Sequence, residues 1–145
     1  MSKTFTWSEA QTLLPVVEAL LKKARGAATR AAEIELEMQG LSQQIFLSGG
    51  MLVDIRQAAQ RRAERENAMQ EAKDTMAEFD AIGVQVKDLE QGLLDFPCVI
   101  DGKTVLLCWK LGEKEIGYWH TEEDGFAGRK PLDERFGKNE RERLN

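Results

Sequence analysis

The 145-residue chain has one histidine, one tyrosine, two cysteines and three prolines. Each shortage excludes something. A single histidine rules out the HExxH and paired-histidine zinc motifs, and Cys98 and Cys108 form no CxxC. Two cysteines make no disulfide framework, and with no apolar run near the N-terminus to act as an export signal, both are expected as reduced thiols in a cytoplasmic protein. No stretch approaches the roughly 18 consecutive apolar residues of a membrane span. Positive charge is also short: 20 Lys and Arg stand against 25 Asp and Glu, for a net charge of −5. That balance opposes general nucleic-acid binding, which relies on clustered cations. No glycine pattern of the phosphate-cradling GxGxxG or GxxxxGK[ST] kind occurs.

The first half reads as helix. Thr6-Trp7-Ser8-Glu9 is a capping box in which Thr6 accepts from the Glu9 amide and Glu9 reaches back to the Thr6 N–H; Phe5 is placed to staple onto Ala10. Pro15 cannot donate to the helical ladder, so a kink or restart is expected near Leu13 and Leu14. From there Leu13, Val17, Leu20, Ala24, Ala27, Ala31, Ile34, Met38, Leu41 and Ile45 recur in alternating steps of four and three. Such a seam belongs to a helix packed on another helix. Ser48-Gly49-Gly50 is the turn, and a second helix follows with Ile55, Ala58, Met69, Ala72, Met76 and Phe79 as its inner face, interrupted by Arg62 and Arg65. Folding back at that turn sets Leu20 against Phe79 and Ala24, Ala27 and Ala31 against Met76, Ala72 and Met69. Each helix of about 30 residues would span ~45 Å. Two helices cannot cover all of their apolar surface, with Leu14, Leu21 and Leu36 left beside or behind the seam. Either the β segment covers Leu14 and Leu21 and Leu36 is a tolerated exposed leucine, or the hairpins pair; a homodimer through the helices is the expected partnership.

Gly83 ends the hairpin, and the pattern changes to strands at Val84–Leu89, Leu94–Ile100, Lys103–Leu111 and Ile116–His120. Asp101-Gly102 is a two-residue hairpin turn of type I′. It sets Ile100 against Lys103, Cys98 against Val105 and Asp95 against Cys108, so the two cysteines point to opposite faces. Continuing the alternation puts Phe96, Cys98, Ile100, Val105, Leu107, Trp109, Ile116, Tyr118 and His120 on the face packed against the helices. Asp95, Pro97, Val99, Leu106, Cys108, Lys110 and Trp119 fall on the other. Residues 122–132 read as a glycine-rich loop and 133–145 as a charged, mobile tail, so that residues 1–132 make a single α+β domain, predominantly α.

The residues able to do chemistry concentrate between Lys87 and Arg129. On this register Cys98 and His120 share a face but lie two strands, nearly 10 Å, apart. Ligands at about 2.0–2.3 Å from a zinc ion need closer convergence, so a Cys98–Cys108–His120 metal site is disfavoured. Asp95 is a carboxylate flanked by Leu94, Phe96 and Pro97, and needs a partner such as Arg129 or Lys87. The ordinary role for such a pair is to pin a loop to the sheet, and the ordinary role for His120 is a hydrogen-bonded core or rim residue. The functional alternative makes Asp95, Glu113, His120 and Arg129 the lining of a small pocket, with Asp95 or His120 as base. Trp109, Tyr118 and Trp119 alternate between faces and read as core packing rather than a base-stacking platform. Arg56, Arg61, Arg62 and Arg65 are interleaved with Glu64 and Glu66, which describes a solvated, charge-mixed surface.

FTWSEAQTLLP, KDLEQGLLDFP, LCWKLGEKEIGYWH and GFAGRKPL together make the chain resemble the bacterial "domain of unknown function 2203" family from Phe5 to Leu132. The resemblance implies a helical hairpin followed by a small β element, and implies no activity, cofactor or catalytic residue. Its signature positions are Lys87, Asp88, Gly92, Asp95, Phe96, Pro97, Cys108, Trp109, Gly112, Glu113, Trp119, His120, Gly125, Gly128 and Arg129; Cys98 is not among them. The expectation is a cytoplasmic, self-associating interaction or scaffold module with no cofactor and no bound metal. A small-molecule- or metal-binding protein, or an enzyme with a polar pocket at the sheet edge, is the alternative.

Overall fold

The computed structural model describes residues 3–47, 49 and 55–138. Two long helices, α1 (Trp7–Leu47) and α2 (Ile55–Ile82), precede a five-stranded antiparallel sheet: β1 (Gln85–Asp88), β2 (Leu93–Ile100), β3 (Lys103–Lys110), β4 (Tyr118–His120) and β5 (Lys130–Pro131). The strands lie side by side in chain order, and a short 3-10 turn, Phe126–Gly128, precedes β5. The protein is α+β and mostly helical. It divides into two compact units. One joins Met1–Leu21 to Met76–Asn145 and holds the sheet; the other is Lys22–Thr75, the middle of the hairpin.

In the sheet unit the capping box forms as expected, with Thr6 N–H donating to Glu9 Oε1 at 2.9 Å and Glu9 N–H to Thr6 Oγ1 at 3.2 Å. The helix it starts runs without interruption to Leu47, with Pro15 inside it. The expected restart does not occur. Pro15 is exposed, so the carbonyl deprived of its donor can be hydrated instead. Val17 and Leu21 of α1 and Phe79 of α2 pack in one core with Phe5, Leu94, Phe96, Leu107 and Trp109. Three hydrogen bonds tie the N-terminal segment to the sheet region: Phe5 N–H to Pro97 O at 2.7 Å, Trp7 Nε1 to Ile116 O at 2.7 Å, and Ile116 N–H to Gln11 Oε1 at 2.9 Å. Gly83 closes α2 with a φ of 96°, and both its own N–H and that of Val84 bond back to Phe79 O.

In the hairpin unit Ala24, Ala27 and Ile34 are buried on α1, as the seam requires. The helices run antiparallel in the expected register. Arg30 pairs with Glu71 at 3.0 Å, Arg61 with Glu37 at 3.2 Å, and Arg65 with Glu35. The inner face of α2 keeps Ala58, Ala72 and Phe79 as expected but departs at two positions, where Ala68 and Thr75 are buried in place of Met69 and Met76. Ala68 is fully buried and Met69 is 46% exposed. With Thr75 also buried, the inner row is Ala58, Arg61, Arg65, Ala68, Ala72, Thr75 and Phe79, an unbroken three–four repeat through both units. Arg61 and Arg65 belong to that row because their stems pack while their guanidinium groups reach glutamates of α1. Gly49 has a left-handed φ of 72°, and the rest of the Ser48–Gly50 turn, with Leu52, lies outside the described residues.

The sheet follows the register set by Asp101-Gly102, whose φ values of 52° and 76° are those of a type I′ turn. Asp95 pairs with Cys108 and Cys98 with Val105, as expected. β4 does not keep the expected phase. His120 pairs with Leu106, Trp119 with Leu107 and Tyr118 with Cys108. Trp119 therefore enters the core, while Tyr118 and His120 stand on the face of Asp95 and Cys108. Ile116 lies outside β4, and it and Trp119 are both buried in the core three residues apart, so alternation breaks between them. β5 pairs with β4 from within the expected loop. Residues 134–138 are helical and Phe136 is 3% exposed, with its ring centroid 5.8 Å from that of Trp119, so the stretch read as tail contributes to the core.

Candidate functional site

The face of the sheet turned away from the core carries the polar residues. Asp95 on β2 and His120 on β4 flank Cys108 on the central strand β3. Strand axes two apart are nearly 10 Å from each other. A carboxylate and an imidazole can meet across that gap only over a short side chain, and the thiol of Cys108 provides one. His120 Nε2 lies 3.0 Å from both Asp95 oxygens, and the two side chains are 3% and 2% exposed.

The other ring nitrogen fixes the tautomer. His120 Nδ1 is 2.7 Å from the Thr121 carbonyl oxygen, which can only accept, so Nδ1 carries a proton. The proton between Nε2 and Asp95 then belongs to the pair, which is either imidazolium with carboxylate or imidazole with carboxylic acid. Both ring nitrogens are held by protein groups.

Cys108 is 1% exposed and lies beside the charged groups of Asp95 and Arg129. Burial first, and the negative charge of Asp95 second, push its thiol up to about 12, against the opposing pull of Arg129. Cys108 is thus a thiol at neutral pH. Neither cysteine is in a disulfide, and Cys98 is buried on the core face, away from this cluster.

Glu113 and Arg129 form a neighbouring pair. Arg129 Nη1 donates to Glu113 Oε1 at 3.1 Å, and its guanidinium is sandwiched between Tyr118 and Phe126, 4.0 and 4.4 Å from the ring centroids. Burial works to lower the Arg129 pKa, but the hydrogen bond and charge of Glu113 outweigh it. Glu113 also caps the turn after β3: its Oε1 accepts from Lys110 N–H at 2.7 Å and its carbonyl from Trp109 Nε1 at 2.9 Å.

A cavity of about 200 Å³ opens over Asp95, Cys108 and His120. Leu93 and Leu106 give it apolar walls, and Lys87, Glu122 and Phe126 stand at its edge. Of the four residues expected to line one pocket, Asp95 and His120 do so. Glu113 and Arg129 meet each other outside the lining and touch the cluster through Cys108 and Phe126. The partner of Asp95 is His120 rather than Arg129 or Lys87, a consequence of the phase of β4. Sequence reasoning missed Cys108 as a member of the cluster. The signal was present in the Asp95–Cys108 pairing, but with His120 assigned to the opposite face nothing joined them.

The chain belongs to the family described as "Uncharacterized conserved protein (DUF2203)", whose model matches residues 3–132. No curated protein matches the chain, and no solved structure does. Among the described residues, no helix is long and apolar enough to cross a membrane.

Proposed function

We propose that the protein binds a small polar ligand in the cavity over Asp95, Cys108 and His120. The observation that carries this reading is the placement of three buried polar side chains on the floor of a single cavity. Burying polar groups is costly unless they are paired, and a fold with no use for them would fill such positions with apolar residues. At about 200 Å³ the space is below the roughly 300–1,000 Å³ of a drug-sized site, which restricts the occupant to a few heavy atoms. The engagement of both His120 nitrogens favours binding over proton transfer, because a general base needs a free nitrogen facing its substrate.

The test is a protein-observed NMR titration of chelator-treated protein with small carboxylates, amides and inorganic phosphate. Saturable shifts at the amides of Leu93, Leu106 and Phe126 are expected for at least one class. Shifts scattered over the surface, or none, would remove the reading.

The helices support a second role, self-association. In the hairpin unit Leu36, Phe46 and Leu47 are 68%, 83% and 75% exposed, and a groove of about 410 Å³ is lined by Met38, Leu41, Ile45 and Ala58 together with the charged Glu37, Arg61 and Arg62. Projecting apolar side chains and a groove on one unit suit a second copy of this chain, since a two-fold axis seats the projections of each copy in the groove of the other. Sedimentation equilibrium should show a concentration-dependent dimer that Phe46→Glu dissociates. A monomer at every concentration would exclude this role.

A further inference from the structure

We propose that Asp95, Cys108 and His120 form a three-ligand site for a divalent transition metal, with zinc as the best fit and the fourth position open to the cavity. This rests on reading the cavity as a binding site, and it names the occupant of its floor.

The donor atoms are one carboxylate oxygen, one sulfur and one imidazole nitrogen, and they all lie within 4.8 Å of one another. A tetrahedral zinc ion with bonds of about 2.0–2.3 Å separates its ligands by roughly 3.3–3.8 Å. The His120–Asp95 contact of 3.0 Å must open slightly and the widest separation close by roughly 1 Å, within the reach of side-chain adjustment. The mixed oxygen, nitrogen and sulfur set suits zinc better than magnesium or calcium, which take oxygen ligands.

The second observation is the orientation of the histidine. A metal-bound imidazole characteristically donates its remote N–H to a carbonyl or carboxylate, which fixes the ring and leaves the other nitrogen for the ion. The Thr121 carbonyl holds Nδ1 in this way, and Nε2 is the atom aimed at Asp95 and Cys108. The register contributes too. Three adjacent strands supply one ligand each, and the type I′ turn at Asp101-Gly102 fixes two of them relative to each other. Charge closes the account: a divalent ion against one carboxylate, one thiolate and one neutral imidazole is electrically balanced. The Cys108 proton and the proton lying between His120 Nε2 and Asp95 both leave to solvent as the metal bonds form.

The test uses the full chain, stripped with a chelator, titrated with Co²⁺ as a spectroscopic probe and with Zn²⁺ in competition. One equivalent of Co²⁺ should give visible bands of tetrahedral intensity and a near-ultraviolet sulfur-to-cobalt charge-transfer band, both abolished by one equivalent of Zn²⁺. Cys108→Ser should remove the charge-transfer band. Asp95→Asn and His120→Gln should weaken binding by more than the roughly 10–100-fold that loss of an outer-shell partner costs. Cys98→Ala should leave both spectrum and affinity unchanged. If His120→Gln fails to fold, Cys108→Ser decides alone, because the charge-transfer band reports the sulfur directly. No stoichiometric binding, or binding that survives Cys108→Ser with its sulfur band intact, overturns the proposal. Saturable ligand binding by the chelator-treated protein, with no metal binding, would overturn the metal site and leave the cavity reading standing. The reverse pattern would leave the metal site without an organic ligand.

Discussion

His120 Nε2 is equidistant, at 3.0 Å, from the two carboxylate oxygens of Asp95, while its Nδ1 donates to the Thr121 carbonyl at 2.7 Å. Both side chains are buried, so removing one leaves the other without its partner. Asp95→Ala should therefore cost about 3–5 kcal/mol in metal-free protein, the usual result of stranding one member of a buried pair. Asp95→Asn keeps an acceptor for Nε2 and should cost less. Urea unfolding of the two variants measures the difference; equal and small losses would mean that the pair does not stabilise the fold.

The Cys108 thiol has a folded pKa of about 12 against 9.0 when free. The folded state holds the proton more tightly, so its contribution is fully present below pH 9 and is lost as pH rises from 9 towards 12. Metal-free protein should lose stability over that window, and Cys108→Ser should flatten the slope. The same protonation predicts that Cys108 resists alkylation in native protein near pH 8 and reacts once denatured. Mass spectrometry after iodoacetamide treatment reads this directly.

Gly92 and Gly102 have nearly the same φ, 75° and 76°, and differ in their surroundings. A Cβ on Gly92 would sit 2.7 Å from Leu111 Cβ, whereas one on Gly102 meets nothing within 4 Å. Gly102→Ala should cost only the left-handed backbone penalty of about 1–2 kcal/mol. Gly92→Ala should cost clearly more, because β2 and the turn after β3 must separate. Thermal unfolding of both variants tests the ranking.

Arg129 is held by a carboxylate and two aromatic faces at once. Arg129→Lys keeps the charge but loses the planar stacking, so it should behave more like Arg129→Gln than like wild type. A double-mutant cycle with Glu113→Gln should give a coupling of up to about 1 kcal/mol, the scale of a partly exposed ion pair.

The hairpin register and the β2–β3 register were both legible because local chemistry fixes them. A heptad seam admits one antiparallel pairing, and a two-residue Asp-Gly turn admits one ladder. What escaped reading shares a physical cause: a residue whose size or polarity disagrees with its position. Ala68 is buried where Met69 is larger and more apolar, and Thr75 is buried with its hydroxyl donating to the Glu71 carbonyl at 2.8 Å. β4 is a three-residue strand that starts only at Tyr118 and is too short to reveal its own alternation. Phe136 is an isolated apolar residue in a charged stretch, and its burial against Trp119 is visible only in three dimensions. Half of the candidate site was therefore visible as residue types and half depended on the phase of β4. Moving His120 to its proper face joins it to the Asp95–Cys108 pair that the turn had already made.

The sheet unit is assembled from both ends of the chain, with Phe5, Ala10, Leu14, Val17 and Leu21 supplied by the first segment. During synthesis those residues leave the ribosome roughly a hundred positions before Trp109 and Ile116, and must wait for a surface that does not yet exist. The Lys22–Thr75 stretch is synthesised in full well before the rest of the sheet unit. No single proteolytic cut can release the sheet intact. Isolating it requires excising the intervening helices and rejoining Leu21 to Met76 through a designed connector.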